Sequence, residues 1–374
     1  MQYVTLPESN GTHNTSMSVA KGIAIILMVI GHTAAPVQFV NWFYTFHMPL
    51  FFIISGYFFH TDPIDRPVSF VKKKIKGLYW PLVKYIWAFI LIRNLLVYLN
   101  LSPEPYSFAH ICRRMITAFA LPLHDPRIMV AWFVISLLCA SLIVFAYLFI
   151  VSILLKKKGK AGLFNNKVLV LSAIGFSILS VVFIYSEVSI PYLPSQTALA
   201  GIYLMVGMLY RRYEHVAKAK PAVILSFIMI AISIAVYAFV PDIPLMQVHA
   251  ISKDKLLHYI AVSVPMTLAV INAVRFIPAI LTPCFDYIGR HTLIILMLHM
   301  SVLQIVCSVI ALYKGLPLEV VHDCRSMIFD PTLTNPALWP LFTAFGVIIP
   351  LLAGHLYNHA KQSFTSRLPI RKIA

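Results

Sequence analysis

Long apolar segments recur along all 374 residues of this chain, and their length limits its fold more than any other feature. Each segment approaches the ~20 residues that an α-helix needs to cross the hydrocarbon core of a bilayer. The composition agrees, because 60% of the residues are hydrophobic and only 11% are charged. The alternation typical of a β-strand is missing from these segments. The sequence therefore predicts an all-α fold, a polytopic transmembrane helical bundle.

The apolar segments predict about ten spans in a single membrane-embedded domain over residues 1–374. No polar stretch between them is long enough to fold alone. A polar tail at 1–16 precedes the first span, which we expect to be retained rather than cleaved as a signal, and a basic tail at 360–374 follows the last. The predicted spans are residues 17–37, 42–59, 79–99, 128–154, 167–186, 192–210, 221–240, 256–277, 289–312 and 338–359.

Lysine and arginine fall mostly in alternate loops, which predicts the orientation of the spans. With the N-terminus inside, 21 of the 30 lie on the cytoplasmic side and 7 on the outer side, and Lys84 and Arg93 fall within a span. Both termini are therefore expected in the cytoplasm. The same distribution accounts for the net charge of +17, so the expected partner is the lipid bilayer and not nucleic acid.

The first span begins at a lysine and contains a histidine eleven residues later, in KGIAIILMVIGHT. At 100° per residue, eleven steps turn about 20° past three full circles, so a continuous helix places Lys21 and His32 on one face, roughly 16 Å apart. An ionisable group inside a membrane is costly unless it faces a partner or water, which makes each one a candidate for function. The pair predicts chemistry that extends across much of the bilayer.

Two other predicted spans carry histidines. The second contains FHMPLFFIISGYFF, which includes His47 and Ser55, and His47 is predicted at the same depth as the histidine of the first span. The ninth begins with IGRHTLIILMLHM, where Arg290 is expected at a cytoplasmic helix N-terminus that favours anions, and His299 lies two turns deeper. For His47 the sequence leaves both packing and function open.

A basic segment, KKKIKGLYWP, precedes the third span and contains Lys73, Lys74 and Lys76. The preference for positive charge on the cytoplasmic side explains such a segment by itself. The alternative is a site for phosphate groups, which gains weight from the cations in the first and ninth spans. The five cysteines show no CxxC spacing, so we expect neither a metal site nor a required disulfide.

In their order along the chain, these motifs resemble the acyltransferase 3 family of integral-membrane acyltransferases, in particular its fucose 4-O-acetylase-like branch. The resemblance extends over most of the chain and includes AWFVISLL at 131–138 and GIYLMVGMLYRR at 201–212. Each motif is short, but their joint order and spacing are specific to the family.

Three features depart from the family pattern. Lys21 replaces the usual arginine, which keeps the charge but loses the two-pronged guanidinium. A serine stands three positions earlier, where the family often has an acidic residue. The usual Arg-x-x-Arg before the third helix is reduced to Lys73 and Lys76, or to Lys74 and Gly77 in an alignment on the following proline.

The resemblance implies a bacterial inner-membrane enzyme that takes an acyl group, usually acetyl, from cytoplasmic acyl-CoA. The expected donor, acetyl-CoA, is a co-substrate and not a tightly bound cofactor. Its acceptor would be a hydroxyl of an extracytoplasmic sugar, in a glycan or lipid-linked, as in O-antigen and other surface polysaccharides. The family's catalytic histidine corresponds to His32, as general base or nucleophile. Support is expected from His47, Ser55 and His299. The CoA phosphates are expected among Lys21, Lys73, Lys74, Lys76 and Arg290.

Two other functions stay open from the sequence. A transporter or flippase of a lipid-linked sugar or related envelope metabolite would use the histidines as a proton or substrate path, although the internal repeats common in transporters are missing. Another type of membrane acyltransferase would modify lipids or proteins. The acceptor is expected to meet the outer loops near 100–127 and 313–337. The sequence indicates neither the modified hydroxyl nor the oligomeric state.

Overall fold

The computed structural model describes residues 14–59, 66–157, 166–186, 195–239, 253–324 and 326–367. Within these ranges every regular element is helical and no strand is present, which confirms the all-α prediction. A π-helical segment, Ile75–Tyr79, joins α4 to α5. The α-helices are α1 (Thr15–Ile30), α2 (Val37–Tyr44), α3 (His47–Tyr57), α4 (Pro67–Lys74), α5 (Trp80–Tyr98), α6 (Phe108–Thr117), α7 (Trp132–Lys157), α8 (Asn166–Tyr185), α9 (Ser195–Arg212), α10 (Glu214–Ala217), α11 (Lys220–Phe239), α12 (Leu256–Ala273), α13 (Thr282–Arg290), α14 (Thr292–Tyr313) and α15 (Trp339–Arg367).

Helices long and apolar enough to cross a membrane recur through the described residues. Two shorter apolar helices, Thr15–Ile30 and Lys220–Val236, lie in the first and seventh predicted spans, and α9 lies in the sixth. A polytopic helical fold is thus confirmed, whereas the number of ten crossings and the location of the termini stay predictions. Most of the N-terminal tail and the last seven residues lie outside the described ranges. The seven long segments are Val37–Tyr57, Pro67–Tyr98, Pro126–Lys157, Asn166–Tyr185, Leu256–Phe276, Thr292–Tyr313 and Pro336–Ser363.

The first predicted span is not one continuous helix. α1 ends at Ile30, and the following amides close tighter turns, with the His32 N–H bonded to the Val29 carbonyl oxygen at 2.9 Å. Pro36 then precedes α2, and proline prevents continuation because it lacks an N–H and disfavours a helical conformation in the residue before it. His32 therefore lies in the turn after α1, and the helix that was expected to align it with Lys21 stops two residues short.

Two more predicted spans are interrupted. The second divides into α2 and α3 at Thr45 and Phe46, so that His47 is the first residue of α3. The ninth divides at His291, between the short helix α13 and the long helix α14. Arg290 is therefore the last residue of α13. The prediction that it lies at the N-terminus of the membrane-spanning helix is wrong, because that helix begins only after His291.

Glycines let two pairs of helices approach closely. A Cβ atom at Gly22 of α1 would overlap a backbone carbonyl of α13, and one at Gly289 of α13 would overlap a carbonyl of α1. Gly56 and Gly207 allow the same approach between α3 and α9. Such close backbone contacts favour helix association in a bilayer, where apolar burial alone contributes little. Since α1 also packs against α3, the four helices form a continuous row in the order α13, α1, α3, α9.

Hydrogen bonds between α1 and the α2–α3 region define two ends of the bundle. At one end, the Asn14 amide donates to the Tyr57 hydroxyl at 3.1 Å, which joins the start of α1 to the end of α3. At the other end, the Tyr44 hydroxyl donates to the Gly31 carbonyl at 3.1 Å, beside the start of α3. α1 and α3 are therefore antiparallel. The first of these is the Asn14 end of the bundle, and the second, which contains Gly31 and Tyr44, is the His32 end.

Candidate active site

Three histidines from separate parts of the chain gather at the His32 end. The rings of His32 and His299 lie 5.2 Å apart between centroids. His47 interacts electrostatically with His32 as well. The turn after α1, the first residue of α3 and the middle of α14 supply these side chains. The fold thus brings together three of the four residues that were predicted to act in or to support catalysis.

His32 is the most accessible of the three histidines. His299 is fully buried at 0% exposure and His47 is 4% exposed, whereas His32 is only half-buried. The ring of Tyr44 further encloses His47, with 4.7 Å between the ring centroids. A reactant can therefore approach His32 with the least displacement of neighbouring side chains.

Backbone carbonyls fix the tautomers of the two buried histidines. Nδ1 of His47 lies 3.0 Å from the carbonyl oxygen of Phe43, and Nδ1 of His299 lies 3.0 Å from that of Ile295. A carbonyl oxygen only accepts, so each Nδ1 carries the hydrogen and a neutral ring keeps Nε2 as an acceptor. In the described part of the chain, the buried Nε2 of His299 has no hydrogen-bond partner. It is an acceptor in place for a proton donor beside His32.

Ser55 is the predicted supporting residue that the fold does not bring to the histidines. It follows His47 by eight residues in α3, which is about 12 Å along the helix axis toward the Asn14 end. Its neighbour Gly56 makes the close contact with α9. Ser55 therefore lies beside a helix-packing contact, and its catalytic role stays a prediction.

Lys21 and Arg290 meet around a carboxylate at the contact between α1 and α13. Asp286 forms an ion pair with Arg290, with Oδ2 and Nη2 3.0 Å apart, and it interacts electrostatically with Lys21. The Ser18 hydroxyl donates to the backbone oxygen of Asp286 at 3.2 Å and fixes the two helices together. The sequence interpretation missed Asp286, although its place four residues before Arg290 is typical of a helical ion pair.

The lysine side chains of the basic segment differ in their surroundings. Lys74 is partly buried, because its Nζ donates to the Ser141 hydroxyl at 3.1 Å and lies 5.9 Å from the ring centre of Phe59, just after α3. This contact places the segment near the Asn14 end. Lys73 and Lys76 are exposed. Of the two registers left open by the sequence, Lys73 and Lys76 are thus available to an external anion, while Lys74 attaches the segment to α7.

A second polar network at the Asn14 end was not predicted. Glu214 accepts a hydrogen bond from the Tyr57 hydroxyl at 2.9 Å and forms ion pairs with Lys218 and Arg275. Tyr57, like Tyr44 at the other end, lies among apolar residues and gives no signal in the sequence. Glu214 does give one, because the whole chain has only 13 acidic residues and each is therefore a candidate for a specific partner.

The sequence predicts neither a metal site nor a required disulfide. Among the described residues, no group of three or more His, Cys, Asp and Glu side chains is placed to hold a metal ion. Among the described residues the five cysteines form no disulfide; Cys307 and Cys324 are buried, and Cys112 and Cys284 are exposed. The expectations of no metal and no required disulfide stay predictions.

Fold and site together define a membrane-embedded helical protein with imidazoles at one end of its bundle and cations at the other. Such a molecule offers proton transfer at the His32 end and binding of anionic groups at the Asn14 end. A family model described as an acyltransferase domain matches residues 14–355. The protein belongs to this acyltransferase family, as its motifs predicted, and the fucose 4-O-acetylase-like branch stays a prediction. Searches of curated proteins and of solved structures found no match.

Proposed function

We propose that this protein is an O-acetyltransferase of the bacterial inner membrane, which moves an acetyl group from cytoplasmic acetyl-CoA to a hydroxyl of an extracytoplasmic envelope sugar. The family match and the multi-pass fold support the general class. The ring contact between His32 and His299 is the observation that carries the catalytic assignment. In this proposal the acceptor is a surface-polysaccharide sugar or its lipid-linked precursor, as in O-antigen.

The donor binds from the Asn14 end in this proposal. Acetyl-CoA is a polyanion with a long flexible arm, so its phosphates can stay among cations at the membrane surface while the thioester reaches into the bundle. Lys21 and Arg290 lie together at the contact of α1 with α13, and Lys73 and Lys76 are exposed near the same end. Lys74 contributes indirectly, since its bond to Ser141 holds the basic segment in place.

His32 acts as the general base. Its imidazole takes the proton of the sugar hydroxyl as the oxygen attacks the thioester carbonyl. The tetrahedral intermediate then expels the CoA thiolate, which takes the proton back from His32. One C–O bond forms and one C–S bond breaks, and the hydroxyl proton ends on the thiol of CoA. An acetyl-imidazole on His32 is the alternative route, and we prefer direct transfer.

His299 and His47 position His32 in this mechanism. Their Nδ1–H groups are bound to backbone oxygens, so their Nε2 atoms are acceptors. An acceptor beside His32 stabilises the imidazolium that forms when His32 takes the proton. Because His47 and His299 are buried and backbone hydrogen bonds fix their rings, this stabilisation is larger than it would be in water.

The test is acetyl transfer by membranes that contain His32→Ala. General base catalysis contributes about 10²- to 10⁴-fold, so we expect a loss of at least about 100-fold in rate with an unchanged amount of inserted protein. His355→Ala is the matched control, because His355 is exposed on α15. Near-normal transfer by His32→Ala that folds and inserts would remove His32 from catalysis.

The family match favours an acyltransferase over a transporter or flippase. A second measurement separates them, because a transporter would neither hydrolyse acetyl-CoA nor acetylate a glycan. Mass spectrometry of envelope glycans from cells with and without the gene should show one acetyl difference on one sugar. No difference in the glycans, together with no turnover of acetyl-CoA by the purified protein, would contradict the proposal.

A further inference from the structure

A narrow cleft lies between α5, α6 and the segment that leads into α7, apart from the histidine site. Apolar residues such as Phe89 and Ile128 form its floor, and Tyr106, Arg114 and His124 contribute to a polar rim. The cleft is partly open, and its volume of about 20 Å³ has room for one small polar group, such as a carboxylate. The apolar floor strengthens the interaction of any charge that binds there.

Arg114 is a half-buried cation that its neighbours hold in a fixed orientation. Its Nε donates to Nε2 of His110 at 2.6 Å, and its guanidinium lies 4.7 Å from the ring centre of Tyr106. His110 in turn stacks on Tyr106, with 4.5 Å between centroids and 8° between planes. Among the described residues no carboxylate pairs with Arg114, and its two terminal nitrogens have no hydrogen-bond partner. These nitrogens are available to an anion in the cleft.

Positive charge exceeds negative charge around the cleft. Asp125 on the rim is already paired with Arg127, with Oδ2 and Nη1 2.8 Å apart, and it lies 3.9 Å from Arg93. Arg93 and Arg127 thus balance the charge of Asp125, while the charge of Arg114 in the cleft lining has no paired carboxylate among the described residues. The pKa of His124 is lowered, first by partial burial and then by the positive charge of Arg114, which agrees with a positive potential at the rim.

We propose that this cleft binds an anionic group of the sugar acceptor, a carboxylate or a phosphate, with Arg114 as the principal binding residue. An arginine matches the two oxygens of such a group with two parallel hydrogen bonds. A sugar ring is not expected to stack on Tyr106, because His110 and the guanidinium groups of Arg93 and Arg114 already contact the ring of this tyrosine. The identification of the ligand as the acceptor rests on the proposed function.

A buried arginine connects the cleft to the helix that carries His299. Arg127 is 3% exposed and joins Asp125 on the rim to Gln304 of α14, with Nε and Oε1 2.8 Å apart. Gln304 follows His299 by five residues, about 7.5 Å along α14. A sugar held at the cleft by its anionic group is thus bound to the same framework that positions the catalytic imidazoles.

The experiment measures ligand binding to the full-length protein in nanodiscs of neutral lipid, without acetyl-CoA. Glucuronate and inorganic phosphate are the anionic probes, and glucose is the neutral one. We expect both anions to bind more tightly than glucose, and Arg114→Gln to weaken their binding at least tenfold. Arg113→Gln is the matched control, because Arg113 is exposed on the same helix, and it should bind like the unmodified protein. Arg114→Lys keeps the charge and should weaken anion binding less than Arg114→Gln does. It also keeps the test valid if Arg114→Gln fails to fold.

Three results would overturn this inference. The first is equal binding of glucuronate and glucose, and the second is an equal loss in Arg113→Gln and Arg114→Gln. The third concerns nanodiscs to which anionic phospholipid has been added. If Arg114→Gln weakens binding of that lipid but not of glucuronate or phosphate, the cleft is a site for lipid headgroups. Because the measurement involves no turnover, its failure leaves the catalytic role of His32 untouched. Retained transfer by His32→Ala would overturn that role without affecting the anion site.

Discussion

The two buried histidines at the His32 end offer the same ring nitrogen for chemistry. The Nδ1–H groups of His47 and His299 are bound to backbone carbonyls, so only their Nε2 atoms can accept a hydrogen bond. In His299 this atom is buried without a partner among the described residues, and such a group costs on the order of 1–3 kcal/mol. A reacting hydroxyl or the ring of His32 would offset that cost.

Replacement of His299 should therefore affect the rate more than donor binding. His299→Phe keeps the ring volume and removes Nε2, so we expect kcat to fall about 10- to 100-fold while KM for acetyl-CoA changes little. His299→Gln, which restores a polar group, should recover part of the rate. Kinetics of acetyl transfer, with thermal unfolding as a check on folding, measure both. Unchanged kcat in folded His299→Phe would exclude a positioning role.

Replacement of Lys21 should instead weaken donor binding. Lys21→Ala removes one of the two cations beside Asp286, at the contact of α1 with α13. We expect KM for acetyl-CoA to rise about tenfold, which is the effect of losing one hydrogen bond to a charged group. Lys21→Arg should bind at least as well as the natural residue, because its guanidinium grips two oxygens. Lys220→Ala serves as control, since Lys220 is exposed at the start of α11. An unchanged KM in Lys21→Ala would count against the phosphate assignment.

Helices were predicted more reliably than their interruptions. The fifth predicted span, 167–186, corresponds closely to α8 at Asn166–Tyr185. The break before His47 gave no comparable signal, because the residues on both sides of it are largely apolar. Hydropathy therefore reports depth in the membrane but not continuity of the helix.

The contact between α1 and α13 makes a testable prediction about packing. Gly289→Ala places a Cβ against the Ser18 carbonyl, so the helices must separate, and we expect a loss of about 1–3 kcal/mol in the free energy of unfolding. Gly77→Ala is the control, because a Cβ at Gly77 would meet no atom within 4 Å beyond its chain neighbours and the backbone of its own helix. That variant should be neutral or slightly stabilised, by up to ~1 kcal/mol. Thermal unfolding in one detergent compares the two, and equal stability would show that the close approach is not required.

As a whole, the molecule is apolar around its circumference and polar at its ends. Large apolar side chains such as Leu91, Ile178 and Ile228 are exposed on α5, α8 and α11, where acyl chains can cover them. The exposed cations Lys73 and Lys76 lie near the Asn14 end. This arrangement fits the predicted orientation, in which the Asn14 end faces the cytoplasm.

Labelling of single cysteines at the two ends of α14 tests that orientation. One variant keeps only Cys284, which is exposed on α13, and the other lacks the natural cysteines and carries Tyr313→Cys, at a position 91% exposed. With intact cells, a membrane-impermeant maleimide should modify the cysteine at 313 and spare Cys284. Permeabilised cells should label both, which controls for reactivity. The opposite pattern would invert the topology and would falsify a cytoplasmic donor site at the Asn14 end.

The amino-acid sequence was sufficient for the all-α class, the positions of most helices and the family, and it predicts His32 as the catalytic residue. Lipid imposes helical structure on any long apolar segment, and short motifs keep their order along the chain whatever the packing. The pairing of Asp286 with Arg290, the inward direction of Lys74, the unbonded Nε2 of His299 and the oriented guanidinium of Arg114 emerged only from the folded chain. These features depend on where side chains point once the helices pack, and hydropathy and charge counts along the sequence contain no such information.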